Sequence, residues 1–310
     1  MNFHTDKQVP KVAIVTPIHD GIEDTLEYLR SLAGVTYPNF EVTIVDDGST
    51  DGSRDTISRD FPHVRILRGD GNLWWSGGTN LGIRDALERG AEFVLTMNND
   101  IQVAPDVIDA LVMCATNNLG AIVGGKIYFM KDPERVWSAG GELSWGSGRT
   151  LVMLGHDKPD AAEFSVRRHV DFFTGMCVLI PAQVFSRIGL YDAVNFPQYH
   201  ADSEFTLRAR KAGIPILFEP SAKVWNRVES TFMQRFVMQG ALTLKDIGEL
   251  LTSFRSPMNV KEYWLLHKRY CPSMLIPIAF MLRMARTVLF LLKIKWSILK
   301  GGKDLERIGV

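Results

Sequence analysis

Val42-Thr43-Ile44-Val45-Asp46-Asp47-Gly48-Ser49-Thr50-Asp51 is an apolar run that ends abruptly in carboxylates. A counterpart follows downstream, Phe93-Val94-Leu95-Thr96-Met97-Asn98-Asn99-Asp100. Short apolar runs that stop at polar turn residues predict buried strands of a parallel sheet. Ligands of such sheets bind outside the carboxyl ends of the strands. Acids at those ends therefore face a ligand, and two such clusters suit a nucleotide's base, its ribose and, through a divalent cation, its phosphates.

Working outward, Val12 to Thr16 is a first strand closed by Pro17, and Ile22, Leu26, Leu29 and Leu32 carry helical spacing up to Gly34. Val64 to Leu67 reads as a third strand, Gly77 to Leu87 and Pro105 to Cys114 as helices. Strand and helix alternate, which predicts an α/β fold with helices on both faces of a mostly parallel sheet. After Leu119 the rhythm changes. Residues 120–180 are rich in glycine and aromatics and read as a mixed or antiparallel region. An apolar run at Met176 to Ile180, helices from Pro181 to Ile188 and Tyr199 to Ala212, a strand at Ile214 to Phe218 and a long helix from Thr231 to Leu251 complete the reading.

The chain has 310 residues, 46% hydrophobic and 23% charged, so it can bury a sizeable core. Its 35 basic and 35 acidic residues cancel, which argues against a nucleic-acid binder. Cys114, Cys177 and Cys271 are few and widely spaced, which predicts neither a disulfide framework nor a zinc cluster and points to a reducing, cytoplasmic setting. Met1 to Lys11 is polar and lacks an apolar signal core. From Met274 to Leu299 the chain is mostly Leu, Ile, Phe and Met, broken by Arg283, Arg286, Lys293 and Lys295. Central arginines disfavour a span. Two readings remain: a basic amphipathic helix on an anionic membrane surface, or a helix packed on the domain with snorkelling charges.

The acid clusters admit both structural and chemical roles. Asp46 to Asp51 suits a turn and helix cap. Asp100 stands beside the neutral oxygens of Asn98 and Asn99, a donor set that suits Mg²⁺ or Mn²⁺. Between the clusters lies Gly69-Asp70-Gly71-Asn72-Leu73-Trp74-Trp75-Ser76-Gly77-Gly78-Thr79-Asn80-Leu81-Gly82, which lacks the Lys of a Walker loop and the spacing of a dinucleotide fingerprint. Trp74 and Trp75 in this segment suit the wall of a pocket.

Val12 to Asp20, Val45 to Asp51, Gly71 to Gly82 and Met97 to Asp100 resemble, in order, the motifs of the family 2 glycosyltransferases. Asp171-Phe172-Phe173-Thr174-Gly175-Met176 and Tyr199-His200-Ala201-Asp202-Ser203-Glu204 resemble that family's acceptor-side motifs. The Asn-Leu-Trp-Trp form is most similar to its rhamnosyltransferase-like branch. The resemblance implies a GT-A nucleotide-binding sandwich over residues 10–230, with a donor half at 10–119 and an acceptor half at 120–230, followed by C-terminal helices at 231–310. It implies that Thr16, Pro17, Asp46 and Asp47 contact the nucleoside and that Gly78 and Asn80 line the donor pocket. Asp100 closes the family's Asp-X-Asp metal motif, whose first position here is Asn98. Asp202 matches the catalytic base of inverting members, with Ala201 in place of the usual Glu and Glu204 at the later acidic position. A metal-completing His is replaced by Asn226. The activity so implied is transfer of a sugar from a nucleotide diphosphate-sugar, dTDP-rhamnose or a UDP-sugar, to a glycan or lipid-linked acceptor at the inner face of the plasma membrane. A cap for the helix through Leu207 is the structural alternative for Asp202. A sugar-nucleotide pyrophosphorylase or a non-catalytic sugar-nucleotide binder are the functional ones. The former lacks its basic Gly-rich loop at Pro17-Ile18-His19-Asp20.

Overall fold

The computed structural model describes residues 9–227 and 242–299. In chain order the first elements are β1 (Val12–Ile18), α1 (Ile22–Leu32), β2 (Phe40–Asp46), α2 (Ser53–Asp60), β3 (Arg65–Arg68), α3 (Trp74–Glu88), β4 (Phe93–Met97), β5 (Ile101–Val103) and α4 (Val107–Asn117). Next come β6 (Ile122–Phe129), β7 (Arg135–Ser138), β8 (Gly141–Ser144), β9 (Thr150–Met153), β10 (Lys158–Pro159), β11 (Arg168–His169) and β12 (Cys177–Pro181). The remaining elements are α5 (Ala182–Ile188), α6 (Ala201–Lys211), β13 (Ile216–Asn226), α7 (Leu244–Thr252), α8 (Val260–Tyr270) and α9 (Ile276–Leu299).

The main sheet runs β10-β7-β6-β12-β4-β1-β2-β3, with β13 beside β6, and β5 and β11 beside β13. β3, β2, β1 and β4 are parallel, in the register Ile14↔Val42 and Ile14↔Leu95. β12 enters antiparallel between β4 and β6, pairing Cys177 with Met97. The parallel quartet thus puts Asp46 and Asn98 to Asp100 on one edge, and the reversed β12 brings its starting residues to that same edge. Two buried clusters cover the sheet, one under α1 and α4 and one under α3, α5 and α6. Helix α3 lies unusually near β1: a Cβ on Gly82 would stand 2.4 Å from a Val15 methyl, and one on Gly78 would stand 2.9 Å from the Pro17 Cβ.

Of the boundaries that differ from the sequence reading, three have a local cause. Helix α3 starts at Trp74 rather than Gly77, because a remote carboxylate receives its first N–H groups. α6 starts at Ala201 rather than Tyr199, because His200 takes a left-handed backbone (φ 61°). β13 continues past Pro220 to Asn226, with a register shift between Glu219 and Lys223 that absorbs the proline. Of the helix expected over Thr231 to Leu251, residues 231–241 lie outside the described residues, and α7 covers its end. Cys114, Cys177 and Cys271 are free and buried.

Candidate active site

The loops after β1 and β2 are laced together before any ligand arrives. The Asp20 N–H donates to Ser49 Oγ, and the Thr50 N–H donates to the Asp20 carboxylate. Asp51 accepts from the Ile22 N–H at the start of α1 and from the Ser53 N–H at the start of α2, so one side chain caps two helices. Asp46 is fully buried; one oxygen accepts from the Ser49 N–H at 2.9 Å, the other from Arg54 at 2.8 Å. Asp47 accepts from Gly71 N–H (2.8 Å), Leu73 N–H (2.8 Å) and Trp74 N–H (3.0 Å). This carboxylate fixes the Gly-rich loop and launches α3.

Other residues expected at the donor pocket are tied to the protein in the same way. The Thr16 hydroxyl is buried and bonded to the Tyr28 hydroxyl at 2.8 Å, and Pro17 lies against Gly78. The Asn80 amide donates to the Tyr191 carbonyl and accepts from the Tyr191 N–H, pinning α3 to the segment before α6. Trp75 is half-buried. Its indole N–H donates to Asn98 Oδ1 at 3.0 Å and its edge meets the Tyr191 ring at 5.3 Å. Trp74, with its backbone left-handed (φ 57°), packs against Phe254 and under the Arg255 guanidinium at 4.4 Å. The Trp pair thus divides its work: Trp75 borders the strand-end site and Trp74 packs against the turn between α7 and α8.

The end of β4 is partnered differently. Asn99 donates to Thr25 Oγ1. Asp100 keeps a buried Oδ1 with no hydrogen-bond partner. Burial pushes its carboxyl up to about 6, with the nearby Asp24 charge adding to the rise and Asn98 and Arg227 opposing it. Asn226, at the end of β13 and opposite Ile101 of β5, also keeps a buried Oδ1 without a partner. The next residue, Arg227, donates its N–H to the Asp100 carbonyl and pairs its guanidinium with Asp24 and Glu27. Two unpartnered buried oxygens at adjoining strand ends fit a hard cation, which takes oxygen ligands and shares them with phosphate. Among the described residues no three His, Cys, Asp or Glu side chains group into a metal cage.

Across the edge, the segment before β12 meets the start of α6. Asp202 Oδ2 accepts from the Gly175 N–H at 2.7 Å and Oδ1 from the Ser203 N–H at 2.6 Å. Burial nevertheless raises its carboxyl above the usual range, so desolvation outweighs both bonds. Gly175 is required here, because a Cβ would stand 2.4 Å from the Trp75 ring. Trp75, Gly175 and Asp202 therefore form one wall, and Thr174 adds a buried hydroxyl without a partner. Asp202 is the second residue of α6, not its N-cap, which is His200. Glu204 is 1% exposed and serves architecture: Arg208, Arg269 (2.9 Å) and the Tyr270 hydroxyl (2.7 Å) converge on it.

Sequence reasoning missed the roles of Arg227 and Thr174. A cation directly after a strand end that carries Asn226 was the available signal for Arg227. Nothing marks the Thr174 hydroxyl as buried and unpartnered until the fold closes around it.

The model of glycosyl transferase family 2 matches residues 13–189, more than half of the chain. Among curated proteins, N-acetylglucosaminyl-diphospho-decaprenol L-rhamnosyltransferase of Mycobacterium tuberculosis is 26% identical over 218 residues, 64% of this chain and 69% of that protein. The low-salt glycan biosynthesis hexosyltransferase Agl10 of Haloferax volcanii is 27% identical over 206 residues, 66% and 63% of the two chains. An uncharacterized protein of Sinorhizobium fredii, y4gI, is 27% identical over 70% of this chain, and the match spans only 24% of its own length. Two solved structures share the fold at 16% identity. They are GalNAc-T7 with UDP, GalNAc and Mn²⁺ (TM-score 0.58, 72% of this chain and 44% of that one) and the mannosyltransferase PcManGT of Pyrobaculum calidifontis with GDP-Man and Mn²⁺ (TM-score 0.55, 96% and 81%). The fold is GT-A, and the chain belongs to glycosyl transferase family 2.

Proposed function

We propose that this glycosyltransferase works by inversion, moving a hexose or deoxyhexose from a nucleoside diphosphate-sugar to a glycan or lipid-linked acceptor. The observation that carries the reading is Asp202, a carboxylate raised by burial and aimed by two backbone N–H groups at the wall it shares with Trp75. In the step, the acceptor oxygen attacks the anomeric carbon and the bond from that carbon to the diphosphate oxygen breaks. The electron pair leaves on the diphosphate, and the acceptor's proton passes to Asp202. A base whose pKa lies above the ordinary carboxylate range is better matched to that transfer. Residues 10–119 form the donor half in this reading and residues 120–230 the acceptor half.

Asp100 and Asn226, with the neutral oxygens of Asn98 and Asn99 nearby, would hold Mg²⁺ or Mn²⁺ beside the donor diphosphate. When bound, such an ion offsets charge on the departing diphosphate. The Mn²⁺ present in the two structural neighbours supports this assignment. The rhamnosyltransferase relative supports dTDP-rhamnose as the first donor to test and a lipid-linked acceptor, which would place the chain at the cytoplasmic face of the plasma membrane. The test is release of free nucleoside diphosphate from dTDP-rhamnose and a panel of UDP-sugars with either metal present. One donor should stand out and Asp202→Asn should bind it without turnover; normal turnover in that variant refutes the base.

A further inference from the structure

Helix α9 has a buried face and an exposed apolar face. Ala279, Thr287, Leu291, Ile294 and Ser297 are buried and recur at helical spacing along its whole length. Leu291 and Ile294 pack with Leu250 of α7 and Met258. On the opposite face Ile278, Met281, Val288, Leu289, Leu292 and Trp296 are each more than half exposed. The buried face packs on protein, which favours a helix lying along a surface over one crossing a bilayer, although its length and hydropathy would permit a span. A continuous stripe of exposed large apolar side chains marks an interaction surface.

The charges say what covers it. From Ser273 to Leu299 there is no acidic residue, and Arg286, Lys293 and Lys295 are exposed. Helical spacing puts Arg286 and Lys293 along one border of the apolar stripe and Lys295 along the other. A symmetric pairing with a second copy would bring these like charges together. An anionic bilayer complements them.

The helix is also wired to the catalytic end of the domain. The Arg283 guanidinium lies 3.7 Å from the centre of the Tyr263 ring on α8, and that ring meets His200 edge-on at 4.9 Å. His200 is the N-cap of α6, two residues before Asp202. From the other side the β8–β9 turn braces α9, since a Cβ on Gly148 would stand 2.6 Å from the Leu282 carbonyl.

We infer that α9 is a docking helix that lies in the headgroup layer of an anionic bilayer, apolar stripe inward. Through Arg283, Tyr263 and His200 it sets the height of Asp202 above that surface. The inference rests on the proposed transfer to a lipid-linked acceptor only for its purpose; the docking itself is independent of which donor is used.

The test is co-sedimentation of the full chain with phosphatidylcholine vesicles with and without phosphatidylglycerol. The chain should bind the anionic vesicles selectively and be released by salt, because near-surface basic residues are screened within a Debye length. Leu289→Glu with Leu292→Glu should weaken binding by about tenfold or more while nucleotide-induced thermal shift is kept. Lys293→Glu with Lys295→Glu, which touches only exposed charges, should remove the anionic preference and guards against misfolding of the leucine variant. Equal binding to both vesicles, no binding, or resistance of membrane-bound chain to alkaline carbonate would overturn the inference. So would a concentration-dependent dimer broken by the leucine changes. If vesicle binding fails while nucleotide release persists, docking falls and the transferase reading stands; the reverse result strikes the transferase reading alone.

Discussion

The ends of β2 and β4 carry the same pattern, apolar strand then acids, yet the fold treats them in opposite ways. At β2 the carboxylates of Asp46 and Asp47 accept five hydrogen bonds from this chain, shared between Arg54 and four backbone N–H groups. At β4 the Asp100 Oδ1 is left without a donor, and so is the Asn226 Oδ1 on the adjoining strand. An unpartnered buried polar atom costs free energy, and a hard cation at this edge would satisfy both. The first cluster builds the loops that shape the site, and the second leaves coordination open.

The largest expected effect breaks the comparison at a third acid. Asp202 accepts two N–H bonds like an acid of the first cluster, yet is raised by burial like one of the second. Asp202→Asn should lower kcat by about 10²–10⁴-fold with donor affinity kept. In the parent enzyme the rate should rise with pH until Asp202 is ionised, at a pH above the ordinary aspartate range, as a kcat/KM profile would record. An acid limb at the usual aspartate value would place this carboxylate with the first cluster.

Asp47→Ala tests the paired side. It orphans the Gly71, Leu73 and Trp74 N–H groups and should cost about 3 kcal/mol in urea unfolding; a cost near zero would mean that the loop holds its own shape. Asp100→Asn tests the open side. Thermal stability should hold or rise, while the gain in donor affinity from Mg²⁺ or Mn²⁺ falls about tenfold or more. An unchanged metal response would erase the distinction between the clusters.

The smallest effect comes from the extreme case, Glu262 in the first turn of α8. It is 1% exposed, neither oxygen has a partner, and burial pushes its carboxyl up to about 9. A folded-state pKa above the unfolded one gives stability that is complete at low pH and is lost as pH rises toward that value. Glu262→Gln should therefore add about 1–2 kcal/mol near pH 8 and almost nothing near pH 4, read as Tm against pH. Equal gains at both pH values would mean that Glu262 titrates alike in the folded and unfolded chain.

What the sequence made legible follows from range. β1, β2 and β4 were readable because continuous apolar runs are local facts, and the resemblance singled out Asp100 and Asp202. The start of α3 was not, because Asp47 caps it from 27 positions before Trp74. Nor were the partners of Asn80, whose amide reaches Tyr191 across 111 positions. Glu204 looked like part of the reactive motif, but its partners Arg269 and Tyr270 come from a helix whose place beside α6 no local pattern reveals. The apolar run that marks β13 stops at Phe218, and only the paired neighbours show the bulge that lets the strand continue past Pro220 to Asn226.

The Glu204 junction has a consequence for how the protein can come apart. Its charge lies inside the catalytic domain, while two of the groups that satisfy it, Arg269 and Tyr270, belong to α8. A chain cut before Val260 would leave that buried carboxylate with Arg208 alone. The C-terminal helices are therefore no detachable tail, and calorimetry should record one shared melting event rather than a domain that survives its anchor.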